Sequence, residues 1–190
     1  MAVITTSVGL CSAALALAGA DGISSFEDSS REAAVCALYY ELLLDAALED
    51  YPWRFSIGQY QLARLVDTPL FGYQYAYQLP VGHLRIVGPN SILTTDYKIY
   101  QDKIYTDADS LQIDSQFRPE VVNMSAGFKL AFSIHLASIL SVALKDDDAQ
   151  SERLGRLAVE HWRRARSNDS QGQTNPAVPD FNFLLTTTRL

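Results

Sequence analysis

The chain has 190 residues, 48% hydrophobic and 19% charged, which suits one core closed without disulfides or metals and excludes a disordered or low-complexity protein. Its 22 acids against 15 lysines and arginines give a net charge of -7, so the average surface repels phosphate backbones and argues against a nucleic-acid binder. The two cysteines, Cys11 and Cys36, have no Cys or His at metal-ligand spacing and read as small buried residues of a reducing compartment.

The first predicted element is a helix from Thr5 to Ala18, small and apolar, stopped by Gly19-Ala20-Asp21-Gly22. Its stretch from Val8 to Ala18 resembles a signal-peptide core, but no Lys or Arg precedes it and it is too short to span a bilayer. Cytoplasmic synthesis is expected. A second helix starts at Ser29 or Ser30, with Glu32 three residues after Ser29 as in a capping box. Val35, Leu38, Tyr39, Leu42, Leu43 and Ala46 recur at helical spacing and continue to Leu48, while Glu41, Asp45, Glu49 and Asp50 mark the wet side. Pro52 ends this helix.

From Trp53 to about Phe117 the period changes to two. The run Phe71 to Pro80 alternates as a half-buried strand does, and His83 to Val87 is a second strand bounded by Gly88-Pro89-Asn90. Tyr97 to Tyr100 and Lys103 to Tyr105 flank Gln101-Asp102 as a hairpin without the favoured glycine, and Leu111 to Asp114 is a last strand. Helical spacing returns at Pro119, a good first-turn residue, and runs through Phe128, Phe132, His135, Leu136, Ile139, Leu140 and Leu144. Lys145-Asp146-Asp147-Asp148 breaks it. A further helix from about Asp148 to Ala165 sets Leu154, Leu157, Ala158, His161 and Trp162 on one side.

From Ser167 to Asp180 the composition is polar and cannot pack a core by itself, yet the chain closes on the apolar, β-prone run Phe181-Asn-Phe183-Leu184-Leu185 and Arg189-Leu190. Such a terminus is an aggregation hazard unless covered, so it docks either on its own subunit or on a partner. The predicted fold class is α+β: a mainly helical bundle (1–52 and 118–167), an inserted small antiparallel β-domain (53–117), and a linker with an extended C-terminal arm (168–190).

No chemical motif stands out. The sequence has no Gly-rich phosphate loop, no His-Glu-x-x-His and no Gly-x-Ser-x-Gly, and His83, His135 and His161 fall in different elements. Asp146, Asp147, Asp148 and Glu152 lack the spaced ligands and turn glycine of a calcium loop; they read as an acidic turn feeding a helix N-terminus. The tyrosines of the β region suit a sugar- or protein-contact face as well as an ordinary half-buried strand. Arg163, Arg164 and Arg166 complement a helix dipole or pair with carboxylates of a neighbouring subunit. No catalytic, cofactor or metal residue is expected.

The order of parts is recognisable. An opening Ala/Leu helix, a long helix ending Ala46-Ala-Leu-Glu-Asp-Tyr-Pro52-Trp53-Arg-Phe55, a tyrosine-bearing β insert, two more helices and a tail ending Leu184-Leu185-Thr186-Thr-Thr-Arg189 together resemble tail tubular protein A of short-tailed phages. The most specific piece is the passage through Trp53-x-Phe55 into the first strand. The resemblance implies a structural virion protein made in the host cytoplasm. Its copies would form a dodecameric ring between the portal protein and the tail nozzle or tail tube protein, around a channel for double-stranded DNA. No membrane and no cofactor are implied. On that reading Phe181, Phe183, Leu184, Leu185 and Arg189 contact the portal or a neighbour, and Arg163, Arg164 and Arg166 lie between subunits. The added Leu190 departs from the family's ending. A head-completion adaptor of a long-tailed phage and a monomeric carbohydrate- or protein-binding module stand as alternatives, and a small hydrolase without a motif is the third.

Overall fold

A computed structural model describes residues 4–87 and 96–172. The described residues form helices α1 (Ser7–Ala18) and α2 (Arg31–Glu49), then strands β1 (Ile57–Gln61), β2 (Tyr75–Gln78), β3 (His83–Ile86), β4 (Tyr97–Tyr100), β5 (Lys103–Thr106) and β6 (Gln112–Phe117), and finally α3 (Ala126–Lys145) and α4 (Asp148–Ser170). The class is α+β, as the change of hydrophobic period predicts.

Each helix begins where a side-chain oxygen can take an orphan amide. Thr6, Ser30, Ser125 and Asp147 accept from the amides of Gly9, Ala33, Phe128 and Gln150. The cap of α2 is therefore Ser30, and the Ser29–Glu32 capping box does not form; Glu32 sits in the first turn, where its charge still favours the helix dipole. The third helix starts later than Pro119 because β6 runs on to Phe117. A short 3-10 turn (Val121–Asn123) then intervenes before Ser125 caps α3. Asp146 adopts a left-handed conformation (φ 52°) and Asp147 caps the next helix, so the acidic run is the turn itself. Helix α4 continues to Ser170, past the predicted end at Ala165 and into the expected linker. A tertiary contact holds its last turn: the carboxylate of Asp169 accepts from the Arg54 amide at 3.2 Å.

Helix α3 packs against all three other helices, which is why it is apolar on every side. By length and composition it would pass for a membrane span, but 56% of that window is buried inside the fold, among them Phe128, Phe132, Leu136 and Leu140. Helix α1 runs beside α3 in the same direction, tied at one end by Lys129 Nζ to Ile4 O (3.1 Å) and at the other by Lys145 to Gly19 O. Helix α4 returns antiparallel, and Gln150 Nε2 donates to Leu17 O at 2.9 Å.

Helix α2 has the predicted period but a different phase. Its buried residues are Ala33, Cys36, Tyr40, Leu44 and Leu48, whereas Leu38 and Leu42 are 66% and 67% exposed. Small Ala33 and Cys36 permit close packing, with Cys36 against Cys11 of α1. Tyr40 inserts between Phe26 and Phe132 at 5.8 and 5.6 Å. The hydrogen bond with Cys36, reinforced by burial, holds the Cys11 thiol above the ordinary range, and the same bond draws Cys36 below it against its own burial; both side chains are enclosed in the core. On α4, Leu154, Ala158 and Ala165 are buried, but Leu157 is exposed, against the one-sided set the spacing predicts.

The β unit contains two three-stranded antiparallel sheets, ordered β1-β6-β3 and β2-β5-β4. Its own core comprises Leu62, Tyr77, Leu79, Ile104, Leu111 and Ile113. The strand expected over Phe71–Pro80 shortens to Tyr75–Gln78, because Gly72 turns the chain with φ 90°. The β4–β5 hairpin closes through Gln101-Asp102 with Gln101 at φ 55°, a conformation that strains any residue with a Cβ. Gln101→Gly will raise stability by roughly 0.5 kcal/mol, read as a higher urea midpoint at unchanged slope; a lower midpoint would rule out strain at this turn.

Two features join the units. Gln116 is fully buried, and its Nε2 donates to Leu48 O (2.7 Å), Tyr51 O (3.0 Å) and Ser56 Oγ (3.0 Å), while its Oε1 accepts from Arg85 Nε (2.8 Å). Trp53, also fully buried, packs within 6 Å of the rings of Tyr51, Phe55, Phe128 and Trp162 and donates from Nε1 to Ala47 O at 2.9 Å. Beyond β6, Arg118 pairs with both Glu41 and Asp45 of α2.

Candidate functional site

Among the described residues the three histidines do not converge. His83 lies on β3, with Nδ1 2.7 Å from Ser115 Oγ, His135 lies on α3, and His161 lies half-buried on α4. Among the described residues there is no cluster of three or more His, Cys, Asp or Glu that could hold a metal ion. A cleft of ≈ 340 Å³ is lined by Leu43, Ala47, Asp50, His135, Trp162 and Arg166. The His135 ring meets Trp162 edge-on at 6.4 Å, and Arg166 binds the Asp50 carboxylate and lies 5.9 Å over the Tyr51 ring, while its buried Nε has no hydrogen-bond partner among the described residues.

Burial pushes the pKa of His135, and that of His83, below the ordinary 6.5. A depressed folded-state pKa means that the unfolded chain takes up the proton first. Stability present at pH 7 is therefore lost as pH falls below 6.5 toward the folded-state values. Chemical denaturation at several pH values should show this decline, and His135→Gln should flatten part of it; an unchanged slope would mean that the imidazole is solvated in the fold.

Among the described residues, three places gather exposed apolar side chains or an apolar groove. The first is the outer face of α2, where Leu38 and Leu42 project one turn apart with Glu41, Asp45 and Glu49 beside them. The second is a groove of ≈ 620 Å³ between α1 and α3, lined by Ile4, Ala13, Ala16, Leu17, Ala126, Lys129, Leu130 and Ser133. Ser133 is 3% exposed, and its hydroxyl has no hydrogen-bond partner among the described residues. The third is the tip of the β unit, where Val66, Leu70 and Phe71 are 97%, 96% and 86% exposed. Beside them a recess of ≈ 220 Å³ is walled by Tyr73, Lys98, Tyr100 and Tyr105.

The tyrosine face expected from the β region is thus divided. Tyr77 is buried, with its hydroxyl on Ala108 O at 2.7 Å, and Tyr75 lies beneath the Arg64 guanidinium at 4.2 Å. Tyr73, Tyr100 and Tyr105 line the tip recess, and Tyr75 lines a separate recess of ≈ 330 Å³ with Arg64, Asp67 and Gln74.

The arginines of α4 are dispersed in role. Arg166 is held within the chain by Asp50, Arg164 pairs with Glu160 one turn earlier, and Arg163 is exposed. Exposed pairs of this type contribute little to folding and stay available to another surface. Phe181, Phe183, Leu184, Leu185 and Arg189 lie outside the described residues. Sequence spacing missed the α1–α3 groove altogether; the only signal was that both helices carry more apolar residues than one buried face requires. No family model matches the chain, and a search of curated proteins finds no match either.

Proposed function

We propose that the chain is a non-enzymatic structural subunit of a phage particle, an adaptor whose copies form a ring between portal and tail. The observation that carries this reading is the presence of three separate, unlike apolar surfaces on one small acidic protein. Apolar side chains gathered into patches mark contact sites, and rotational assembly needs two different faces per subunit. The β tip then remains for a third contact, with the portal or the tail nozzle or tube. A net charge of -7 suits a channel through which double-stranded DNA passes without adhering. The virion location and the dodecameric count come from the resemblance to tail tubular protein A alone.

Electron microscopy of the chain mixed with portal complexes of the same particle tests the proposal. A ring added coaxially to the portal supports it, and absence of association under all conditions overturns it. On the same reading the segment from Phe181 to Leu185 anchors the subunit to the portal. Deleting Asp180 to Leu190 should leave a folded protein that no longer attaches; unchanged attachment would remove that role from the segment. The tyrosine-walled recess at the β tip favours a second reading, a monomeric carbohydrate- or protein-binding module. That reading gains if the chain binds a glycan in solution and ignores the portal.

A further inference from the structure

We infer that the outer face of α2 of one copy seats in the α1–α3 groove of the next, making a repeating helix-in-groove contact between copies of this chain. Shape is the first argument. Leu38 and Leu42 stand one turn apart on a helix, more than half exposed, and the groove offers an apolar floor and walls at Ala13, Leu17, Ala126 and Leu130. The two surfaces are unlike and lie on the same helical unit, so the contact is heterologous and repeats from copy to copy.

Charge is the second argument. The knob is flanked by Glu41, Asp45 and Glu49, and the first two share the single guanidinium of Arg118, so the flank stays net negative. Lys129 lines the groove, and α4, tied to the α1 end by Gln150, carries four arginines against two glutamates between Glu152 and Arg164. Arg153, Leu157 and Arg164 fall on one side of α4 at helical spacing, which sets an exposed leucine between two cations. An acidic knob entering a groove whose lining carries Lys129 and no acid, beside the net positive α4, fixes orientation and disfavours the knob-to-knob dimer, where like charges would meet. The unpartnered Ser133 hydroxyl is a third sign that the groove is complete only when filled.

This inference gives the ring of the preceding section its subunit contact, but the test does not involve the portal. Full-length Leu42→Cys and full-length Leu130→Cys are mixed at high protein concentration and oxidised with a disulfide reagent; the native cysteines are buried and serve as the internal control. The mixture should give a covalent heterodimer in about ten-fold excess over either variant alone, and Leu38→Asp in the knob chain should cut that yield by about the same factor. Glu49→Lys should lower it too, with partial recovery against Arg153→Glu/Arg164→Glu. Equal crosslinking with Val66→Cys, or no preference for the mixed pair, overturns the contact. So does efficient closure of a disulfide within single chains carrying Leu130→Cys and Leu184→Cys, because the groove would then belong to the chain's own terminus. A mixed crosslink without portal attachment would leave this contact standing and remove the adaptor reading; portal rings without the crosslink would do the reverse.

Discussion

Trp53→Ala will lower the unfolding free energy by about 3–5 kcal/mol, the largest loss expected from any single truncation in the chain. The indole is fully buried at the centre of four aromatic rings contributed by α3, α4 and the α2–β1 connection, so its removal opens a cavity that rigid neighbours cannot close. Its Nε1–H also takes the Ala47 carbonyl, one of the orphan acceptors at the end of α2. Trp53→Phe separates the two contributions: it keeps most of the packing, loses the hydrogen bond and should cost about 1 kcal/mol. Urea unfolding of both variants is the measurement. A Trp53→Ala loss below that of Trp53→Phe would mean that the cluster relaxes around the gap and that the helix end matters more.

Gln116→Leu should follow at about 3 kcal/mol, and with a different distribution. The amide has two N–H groups for three acceptors, so one proton is shared, and all four of its contacts are buried or partly buried. Leucine fills a similar volume but leaves the Leu48 and Tyr51 carbonyls without this donor and Arg85 without its acceptor. Hydrogen exchange locates the damage. Amides of β1, β3 and β6 should lose protection while the α1–α3 contact keeps its own, because Gln116 ties sheet to helices and does not support the helical core. Uniform loss across both units would show instead that the two cores unfold as one.

The elements themselves were largely legible in the sequence, and their faces only partly. A change of hydrophobic period from 3.6 to 2 and back marks the insertion correctly, because half-buried strands and helices impose those periods directly. Phase is harder. Helix α2 has apolar residues on nearly every side, so the spacing 35-38-39-42 fits as well as 33-36-40-44, and tertiary size matching at Ala33 and Cys36 decides between them. Gln116 was invisible for another reason: its principal partners are main-chain carbonyls 65 and 68 positions away, to which side-chain patterns are blind. The groove was illegible because a groove is a relation between helices. Arg166 pairs with Asp50 at the end of α2, 116 positions away, which no local spacing announces.

The insertion enters and leaves the helical unit side by side, with Ile57 opposite Gln116 in the β1–β6 ladder. That adjacency makes the β unit a cassette. A short turn closing positions 57 and 116 would preserve the path of the chain through the helices, and a different domain with neighbouring ends could occupy the same socket. Descent with change can therefore act on the tip, where Phe71 and the recess tyrosines lie, at a pace independent of the helical faces. On the adaptor reading proposed above, what the tip grips can change while the contact between copies is kept.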